Sequence, residues 1–415
     1  MQPWRTRGAR ATPPPQRRPD PVSTLRRPRV AHVITRLIVG GAQETALALV
    51  VELRRRGRFD ADLILGPTYG PEGSLVPAAR EQRVEPHLVR SLRREVNPLL
   101  DPVALGALTV MFRRGRYDIV HTHSSKAGVL GRIAARAASV PAIVHTVHGW
   151  GFNDRQPLFV NRTFTAAERW CAGFTDALVT VTPRDTETGL ALGIGRPELY
   201  TTIRSGIDVE HFRTPRRPRR EVRAELGLAA DAPVVVSVMR LAPQKAPLDL
   251  IDAAHRLLRE IPDAQVLIVG DGPLRQQVEA RCRELRIRDH FVFTGLRTDV
   301  SDLLAASDVL ALSSLWEGLP RVIPQAMAAG LPVVATAVAG NAEAVADGVT
   351  GILVPPRDPA ALGSALAALL ANRARAKAMG AAGRARVDEF SVERMVSDLE
   401  ALYARCIAGS RAPCA

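Results

Sequence analysis

Five short patterns in the chain join side chains able to hold an anion with glycines that let a backbone come close to one. They are Gly40-Gly41-Ala42-Gln43, His121-Thr122-His123 with Lys126, Thr146-Val147-His148-Gly149, Arg240 with Lys245, and Glu317-Gly318-Leu319-Pro320 with Gln325. A guanidinium and an ammonium five residues apart can each form charge-assisted bonds to an anion, worth roughly 1.5–3 kcal/mol apiece. Gly318 permits close backbone approach and Pro320 suits the first turn of a helix over 320–329, whose free N–H groups make a second phosphate cradle. A carboxylate beside a bound anion is repelled by it, so Glu317 is expected to face neutral hydroxyls.

Two metal readings are weighed. His121 and His123 share one face of a strand, as two metal ligands would, but no third ligand is apparent in the sequence. Contact with a second, acceptor substrate is preferred for His121, His123 and Lys126, whereas His32 and His145 read as sheet-interior residues. Asp60-Ala61-Asp62 has the Asp-x-Asp form that commonly holds a divalent ion, yet it opens an apolar run and reads as solvated edge residues. Cys171, Cys282, Cys406 and Cys414 lie far apart without a CxxC pattern, which offers no zinc site and suits a reducing compartment.

Strand ends and helix starts must carry these groups, and the patterning supplies them. Apolar runs at 30–34, 61–65, 117–120, 142–147 and 177–181 alternate with helical segments, and the alternation restarts at 233–238, 265–269, 291–293, 308–312 and 332–335. Buried strands separated by amphipathic helices predict an α/β fold of two Rossmann-like domains, their parallel sheets facing each other across a cleft. The expected division is a disordered basic Pro-rich tail at 1–28, a domain at 29–212, a linker at 213–220, a second domain at 221–390 and a helix at 391–408.

The net charge of +14 is concentrated at two places: residues 1–29 carry +7 and residues 213–220 carry +5, leaving +2 for the remainder. Nearly neutral folded parts argue against nucleic-acid binding. The Arg-rich head is no secretory signal and reads as a solvated tail, with attraction to an anionic membrane surface as the other reading. No apolar run reaches the length that crosses a bilayer, so an intracellular location is expected.

In this order, over about residues 29–408, the motifs resemble those of the GT-B retaining glycosyltransferases of family GT4 (group 1). Residues 308–356 carry the most specific likeness, to that family's donor-site signature, and 121–135 resembles members that build bacterial surface polysaccharides. The resemblance implies metal-independent transfer of a sugar, with retention, from a nucleotide-diphosphate sugar to a hydroxyl. It implies no cofactor, a UDP-sugar rather than a GDP-sugar as donor, a saccharide or lipid-linked acceptor, and work in the cytoplasm or at the inner face of the plasma membrane. By the same likeness Arg240 and Lys245 bind the diphosphate, Glu317 meets the donor sugar, and His148 lies near that sugar and the acceptor. Gly40 and Gly41 match the family's glycine loop, and the helix at 391–408 is expected to cross back onto the first domain.

Gly270, Gly272, Gly295 and Arg297 are expected to read the base edge. Glu343 after Gly340-Asn341 resembles the family's Gly-Gly-x-x-Glu region, with Ala339 in place of one glycine. Gln325 stands where the family has a second glutamate that binds the ribose hydroxyls, and an amide can still hold a diol through one acceptor and one donor. A catalytically inactive nucleotide-sugar sensor or scaffold, or a sugar-nucleotide epimerase, remains the alternative reading.

Overall fold

The computed structural model describes residues 26–70, 72–151 and 157–410. The first unit begins with β1 (Arg29–Ile34), α1 (Gly41–Arg56), β2 (Asp60–Leu65), α2 (Val76–Glu81), β3 (His87–Leu88) and α3 (Leu100–Gly115). It continues with β4 (Ile119–His123), α4 (Ser125–Ala137), β5 (Ala142–Val147), α5 (Leu158–Ala172), β6 (Ala177–Thr180), α6 (Pro183–Ala191) and β7 (Tyr200–Thr202). The connection holds α7 (Val209–Arg213) and α8 (Arg219–Leu226). The second unit runs β8 (Val234–Val238), α9 (Pro247–Glu260), β9 (Gln265–Val269), α10 (Arg275–Glu284), β10 (Phe291–Gly295), α11 (Val300–Ala305) and β11 (Val309–Leu312). It closes with α12 (Val322–Ala329), β12 (Val333–Thr336), α13 (Ala339–Ala344), β13 (Gly351–Val354), α14 (Pro359–Ala371) and α15 (Arg373–Arg386), and α16 (Val392–Ser410) follows.

Both sheets are parallel throughout, in the orders β3-β2-β1-β4-β5-β6-β7 and β10-β9-β8-β11-β12-β13. Strands such as β8 (VVVSV) and β5 (AIVHTV) are apolar on both faces because helices cover both faces. Each order reverses once, between β1 and β4 and between β8 and β11, opening a crevice at the strands' carboxyl ends where side chains can converge.

The basic stretch 213–220 is held rather than free. Arg213 pairs with Asp388 at 2.7 Å, Arg217 with Glu225 at 2.5 Å and Arg219 with Asp308 at 2.6 Å, and α8 already begins at Arg219. Of the expected 1–28 tail, residues 1–25 lie outside the described residues, and Arg26 is fixed by Asp118 at 3.0 Å. Past the second unit the chain returns to the first. Ile207 N–H donates to Phe390 O (2.8 Å) and Val392 N–H to Ile207 O (3.0 Å), so the two connections run side by side. From there α16 lies against α1 and sends Met395, Val396, Leu399, Leu402 and Tyr403 into the first unit's core.

That core therefore depends on a residue 282 positions away from His121 in sequence. Tyr403 is fully buried and meets Phe59 edge to face at 5.5 Å. Tyr403→Ala is expected to destabilise the first unit by about 3–5 kcal/mol. Urea unfolding followed by exchange of amides in β1, β4 and β5 checks this; unchanged protection there would detach α16 from the core.

Candidate active site

In the second unit, the residues after β8 carry the two expected cations. The turn holding Arg240 is clamped by backbone bonds: Met239 N–H to Val269 O (2.9 Å), Leu241 N–H to Asp271 O (3.0 Å) and Leu274 N–H to Leu241 O (2.9 Å). Gly270 and Gly272 permit this clamp, since a Cβ at either would overlap the Met239 or Leu241 carbonyl. Their glycine requirement thus comes from bracing Arg240 rather than from a base edge, and Gly295 accepts the Gly270 N–H at 2.8 Å in the same brace. Arg297 does not point to a base either. Asp299 (2.6 Å) and Glu225 (3.0 Å) occupy its guanidinium, and those bonds raise its pKa.

Lys245 Nζ donates to Glu317 Oε1, and Ser314 Oγ donates to the same oxygen at 2.6 Å. Glu317, expected to face neutral hydroxyls, is also the counter-ion of Lys245. The loops after β8 and β11 are laced further by Leu315 N–H to Gln244 O (2.8 Å), Gln244 Nε2 to Trp316 O (2.9 Å) and Ser313 Oγ to Lys245 O (2.8 Å). Glu317 Oε2 has no hydrogen bond among the described residues and is left for a further donor.

The helix after this motif starts at Val322, so Pro320 precedes it instead of opening it. The apolar Leu319 side chain is drawn into the second core and Pro320 is buried, which uses residues 319–320 as a turn. Gln325 is 8% exposed on α12. A Cβ on Gly318 would overlap the His148 carbonyl, and one on Gly340 would overlap the Gly318 carbonyl. Three backbone segments from the two units therefore meet without side chains between them. Glu343, nearby on α13, is the partner of Arg204.

Opposite lies the first unit's crevice. His121 and His123 are fully buried, which removes them from acceptor contact, and His32 on neighbouring β1 joins them. One nitrogen of each of these three rings falls within 4.8 Å of the others, a third ligand that the sequence spacing did not disclose. The rings bond one another and two hydroxyls, which occupies the nitrogens that a cation would need. A chain results. Thr146 Oγ1 meets His121 Nε2 (2.6 Å), His121 Nδ1 meets Tyr403 OH (2.5 Å), and Tyr403 OH meets His32 Nε2 (3.4 Å). His32 Nδ1 then meets His123 Nε2 (3.0 Å), and His123 Nδ1 meets His148 Nε2 (3.0 Å).

Burial holds these imidazoles uncharged: His148 is pushed down to about 4, with Arg321 adding to the effect, and His32 to about 3. His121, His123 and His145 lie well below the usual range, again through desolvation first. A neutral ring donates once and accepts once, so the tautomers are linked. With the phenol donating across its shorter contact to His121, the hydrogen-bond chain assigns the proton of His148 to Nε2 and leaves its Nδ1 an acceptor.

Beside His148 is a cavity of about 210 Å³ lined by Ser124, Ser125, Trp150, Phe164 and Glu168. Lys126, which opens α4 next to it, is spent elsewhere: its ammonium pairs with Asp101 (2.6 Å) and donates to the Glu95 carbonyl. Asp62 of the Asp-x-Asp string sits on β2 and is taken by Arg29 (2.8 Å), Arg54 (3.2 Å) and Tyr117 (2.8 Å).

Two residues that the sequence reading passed over bridge the units. Arg321 donates to Glu44 (3.1 Å), Thr45 (3.2 Å) and Gly206 O (2.6 Å), and its aliphatic stem passes Gly41 at a distance where a Cβ would make ordinary contact. Gly40 precedes α1, and a Cβ on it would crowd the Gln43 amide. A cation at a helix start opposes the macrodipole, and here the Glu44 carboxylate of the first unit compensates it. Glu72 reaches Arg240 at 3.3 Å and Arg36 at 3.8 Å, with its Oε2 buried and without a hydrogen bond among the described residues.

The chain is similar to known proteins over most of its length. The family description Glycosyltransferase Family 4 matches residues 39–211 and Glycosyl transferases group 1 matches residues 218–386. The UDP-Gal:alpha-D-GlcNAc-diphosphoundecaprenol alpha-1,3-galactosyltransferase of Escherichia coli is 34% identical over 340 residues, covering 81% of this chain and 86% of its own. The D-inositol 3-phosphate glycosyltransferase of Mycolicibacterium vanbaalenii is 32% identical over 406 residues, 90% and 87% of the two chains. The crystal structure of Anabaena HepE in complex with UDP and glucose superposes with a TM-score of 0.79 at 22% identity, covering 91% of this chain and 99% of HepE.

The buried imidazoles make stability fall with acid. An unfolded histidine binds a proton near pH 6.5 while the native ring stays neutral, so the contribution is complete above that value and is lost as pH drops toward the native pKa. For His32, fully buried, the loss between pH 7 and 5 is about 2 kcal/mol. Calorimetry of wild type and His32→Gln should show a stability–pH slope shallower by about one proton in the variant; parallel slopes would mean that the ring is charged in the native state.

Proposed function

The chain belongs to the group 1 glycosyltransferases of family 4, and from that premise we propose that it moves a sugar from a UDP-sugar to a hydroxyl of a lipid-linked saccharide, with retention and without a metal ion. The observation that carries this reading is the convergence of Arg240, Lys245 and Glu317 at the β8/β11 crevice, facing His148 across the Gly149–Gly318 contact. Donor and acceptor classes follow the names of the relatives that act on UDP-galactose and on a diphosphoundecaprenol-linked sugar. The reaction is accordingly assigned to the cytoplasmic face of a membrane.

As the anomeric C–O bond breaks, the electron pair goes to the diphosphate. Arg240, Lys245 and the N–H groups of Gly318, Leu319 and Arg321 neutralise the charge that develops there. The acceptor oxygen attacks the face that the diphosphate vacates, and its proton passes to the departing phosphate oxygen. Glu317 holds Lys245 through Oε1 and offers Oε2 to a sugar hydroxyl. His148, with a bare Nδ1, accepts a hydrogen bond from a hydroxyl of the sugar or the acceptor. Ser124, Ser125 and the cavity beside His148 take the acceptor saccharide in place of His121, His123 and Lys126. Gln325 holds the ribose diol.

A thermal-shift screen of UDP-, GDP- and ADP-sugars in EDTA is expected to show selective stabilisation by a UDP-sugar, followed by transfer that EDTA does not reduce. Lys245→Ala and Arg240→Ala should each lower kcat/KM by about 10²–10³, with the melting temperature close to wild type for Arg240→Ala and lowered for Lys245→Ala, which leaves Glu317 without its counter-ion. Loss of transfer in EDTA, or full activity with both cations removed, would sink the reading. Separately, Gln325→Ala should raise the donor KM several-fold with kcat nearly constant, and Gln325→Glu should be tolerated; an unchanged KM in the alanine variant removes Gln325 from the donor site.

A further inference from the structure

The hydrogen-bond chain of imidazoles begins and ends at residues that line the cavity, Thr146 and His148, while every member between them is fully buried. His32, His121 and His123 come from β1 and β4, and the hydroxyl that joins His121 to His32 comes from Tyr403 on α16. Packing does not require such a chain, because apolar groups of the same shape would fill the space with little change in stability. Its return to the cavity at both ends gives it another use.

The rings are wedged in place. His121 and His123 stack with centroids 4.4 Å apart, His32 lies on His123 at 5.3 Å, and Phe59 holds the Tyr403 ring edge to face at 5.5 Å. What remains free is where the protons sit. A neutral imidazole bonded at both nitrogens donates from one and accepts at the other, so the chain has two complete arrangements, related by reversal of every bond. In the one that the shorter phenol contact favours, Tyr403 O–H donates to His121 Nδ1 and His121 Nε2–H donates to Thr146. His32 Nε2–H then donates to the phenol oxygen, His123 Nε2–H to His32 Nδ1, and His148 Nε2–H to His123 Nδ1. Reversal would move the His148 proton to Nδ1. We propose that Tyr403 is a positioning residue for transfer: its hydroxyl couples the proton of His148 to the Thr146 end of the chain and keeps Nδ1 an acceptor at the cavity.

The consequence for selectivity rests on the contact proposed above between His148 and a hydroxyl of the sugar or the acceptor. A bare Nδ1 accepts and cannot donate, so the ligand group facing it must supply the proton. Fluorine in that place would set lone pairs against each other, and a site built around a hydroxyl rejects the analogue that lacks it.

The test reads the ring-nitrogen shifts of His148 in the full chain labelled at histidine, with the resonances assigned by their loss in His148→Gln. Wild type is expected to show a bare Nδ1. The isosteric Thr146→Val leaves the His121 Nε2–H without an acceptor, and should reverse the chain and protonate Nδ1 of His148. Tyr403→Phe should cut the chain, so that adding Thr146→Val to it changes nothing further at His148. Val396→Ala, which loosens the same buried face of α16 without removing a hydrogen bond, should lower the melting temperature and leave His148 as in wild type. In transfer assays with donors and acceptors carrying fluorine in place of one hydroxyl at a time, wild type should lose about tenfold in kcat/KM at the hydroxyl that meets His148. Thr146→Val and Tyr403→Phe should each narrow that ratio severalfold. A protonated Nδ1 in wild type, or a bare one in Thr146→Val, overturns the proposal. So does a response to Thr146→Val that survives in the Tyr403→Phe background, or a Val396→Ala variant that reproduces the change, which would assign it to packing. Reversal of the chain with no fluorine analogue penalised would leave Tyr403 coupled to His148 and remove the hydroxyl contact proposed above.

Discussion

Taking the Lys245 ammonium and the Glu317 carboxylate out of water deprives both of hydration, and a pair recovers that only when its geometry is fixed from several sides. Here the fixing comes from the neighbouring backbone. Ser314 donates to the shared carboxylate oxygen, Ser313 holds the Lys245 carbonyl, and Gln244 bonds the Leu315 and Trp316 backbone. The cost of losing either partner is larger than the value of the pair, since the other would remain buried and unbalanced. The loops after β8 and β11 consequently form one body, and the crevice between them inherits a cation whose position is set before any ligand arrives. Preorganised charge of this kind needs no reorganisation as negative charge develops.

The same economy of backbone appears where the units face each other. Gly318 against the His148 carbonyl, and Gly340 against the Gly318 carbonyl, bring main chains together at a distance no side chain allows. Arg321 and the Arg240–Glu72 pair flank that contact. Glu72 is an incomplete partner, because its second oxygen is buried without a hydrogen bond, an arrangement that costs free energy. An anion that reached Arg240 with more acceptor oxygens would displace it, and separation of the units must break the Arg321 contacts to Glu44 and Thr45. The paired connections at Ile207 and Val392 are the place about which such a separation would turn.

The alternation of buried strands and helices was legible because parallel sheets covered on both faces leave unmistakable apolar runs, as in β8 and β9. Arg240, Lys245 and Glu317 could be singled out for a related reason: strand ends at a topological switch point are where side chains converge. Residues whose meaning depends on a distant partner were not legible. Lys126 and Arg297 look alike in sequence to any surface cation, and only the fold shows Asp101 and Asp299 taking them. His121 and His123 share a face as their spacing requires, but spacing does not say whether that face meets solvent or α16. Gly270 and Gly272 were read as facing a base edge, whereas a glycine reports only that a Cβ is excluded, and the groups that exclude it here are the Met239 and Leu241 carbonyls. Arg321 had a signal of its own in its conflict with the helix dipole.

The histidine chain shows why a core would keep polar rings at all. Each neutral imidazole satisfies one donor and one acceptor, so His32, His121 and His123 can be buried without charge provided that every neighbour complies. Tyr403 is the link that makes compliance complete, and it arrives from α16, the last helix, after the chain has passed through the second unit. A phenol can donate to one ring while accepting from another, which an imidazole in the same place would match only in one orientation. Removing the hydroxyl would orphan a nitrogen on each side and free the tautomers beyond it. The tautomer of His148 at the crevice is therefore set along the face of the sheet that α16 covers, through rings that never meet solvent, by a helix whose docking also completes the hydrophobic core.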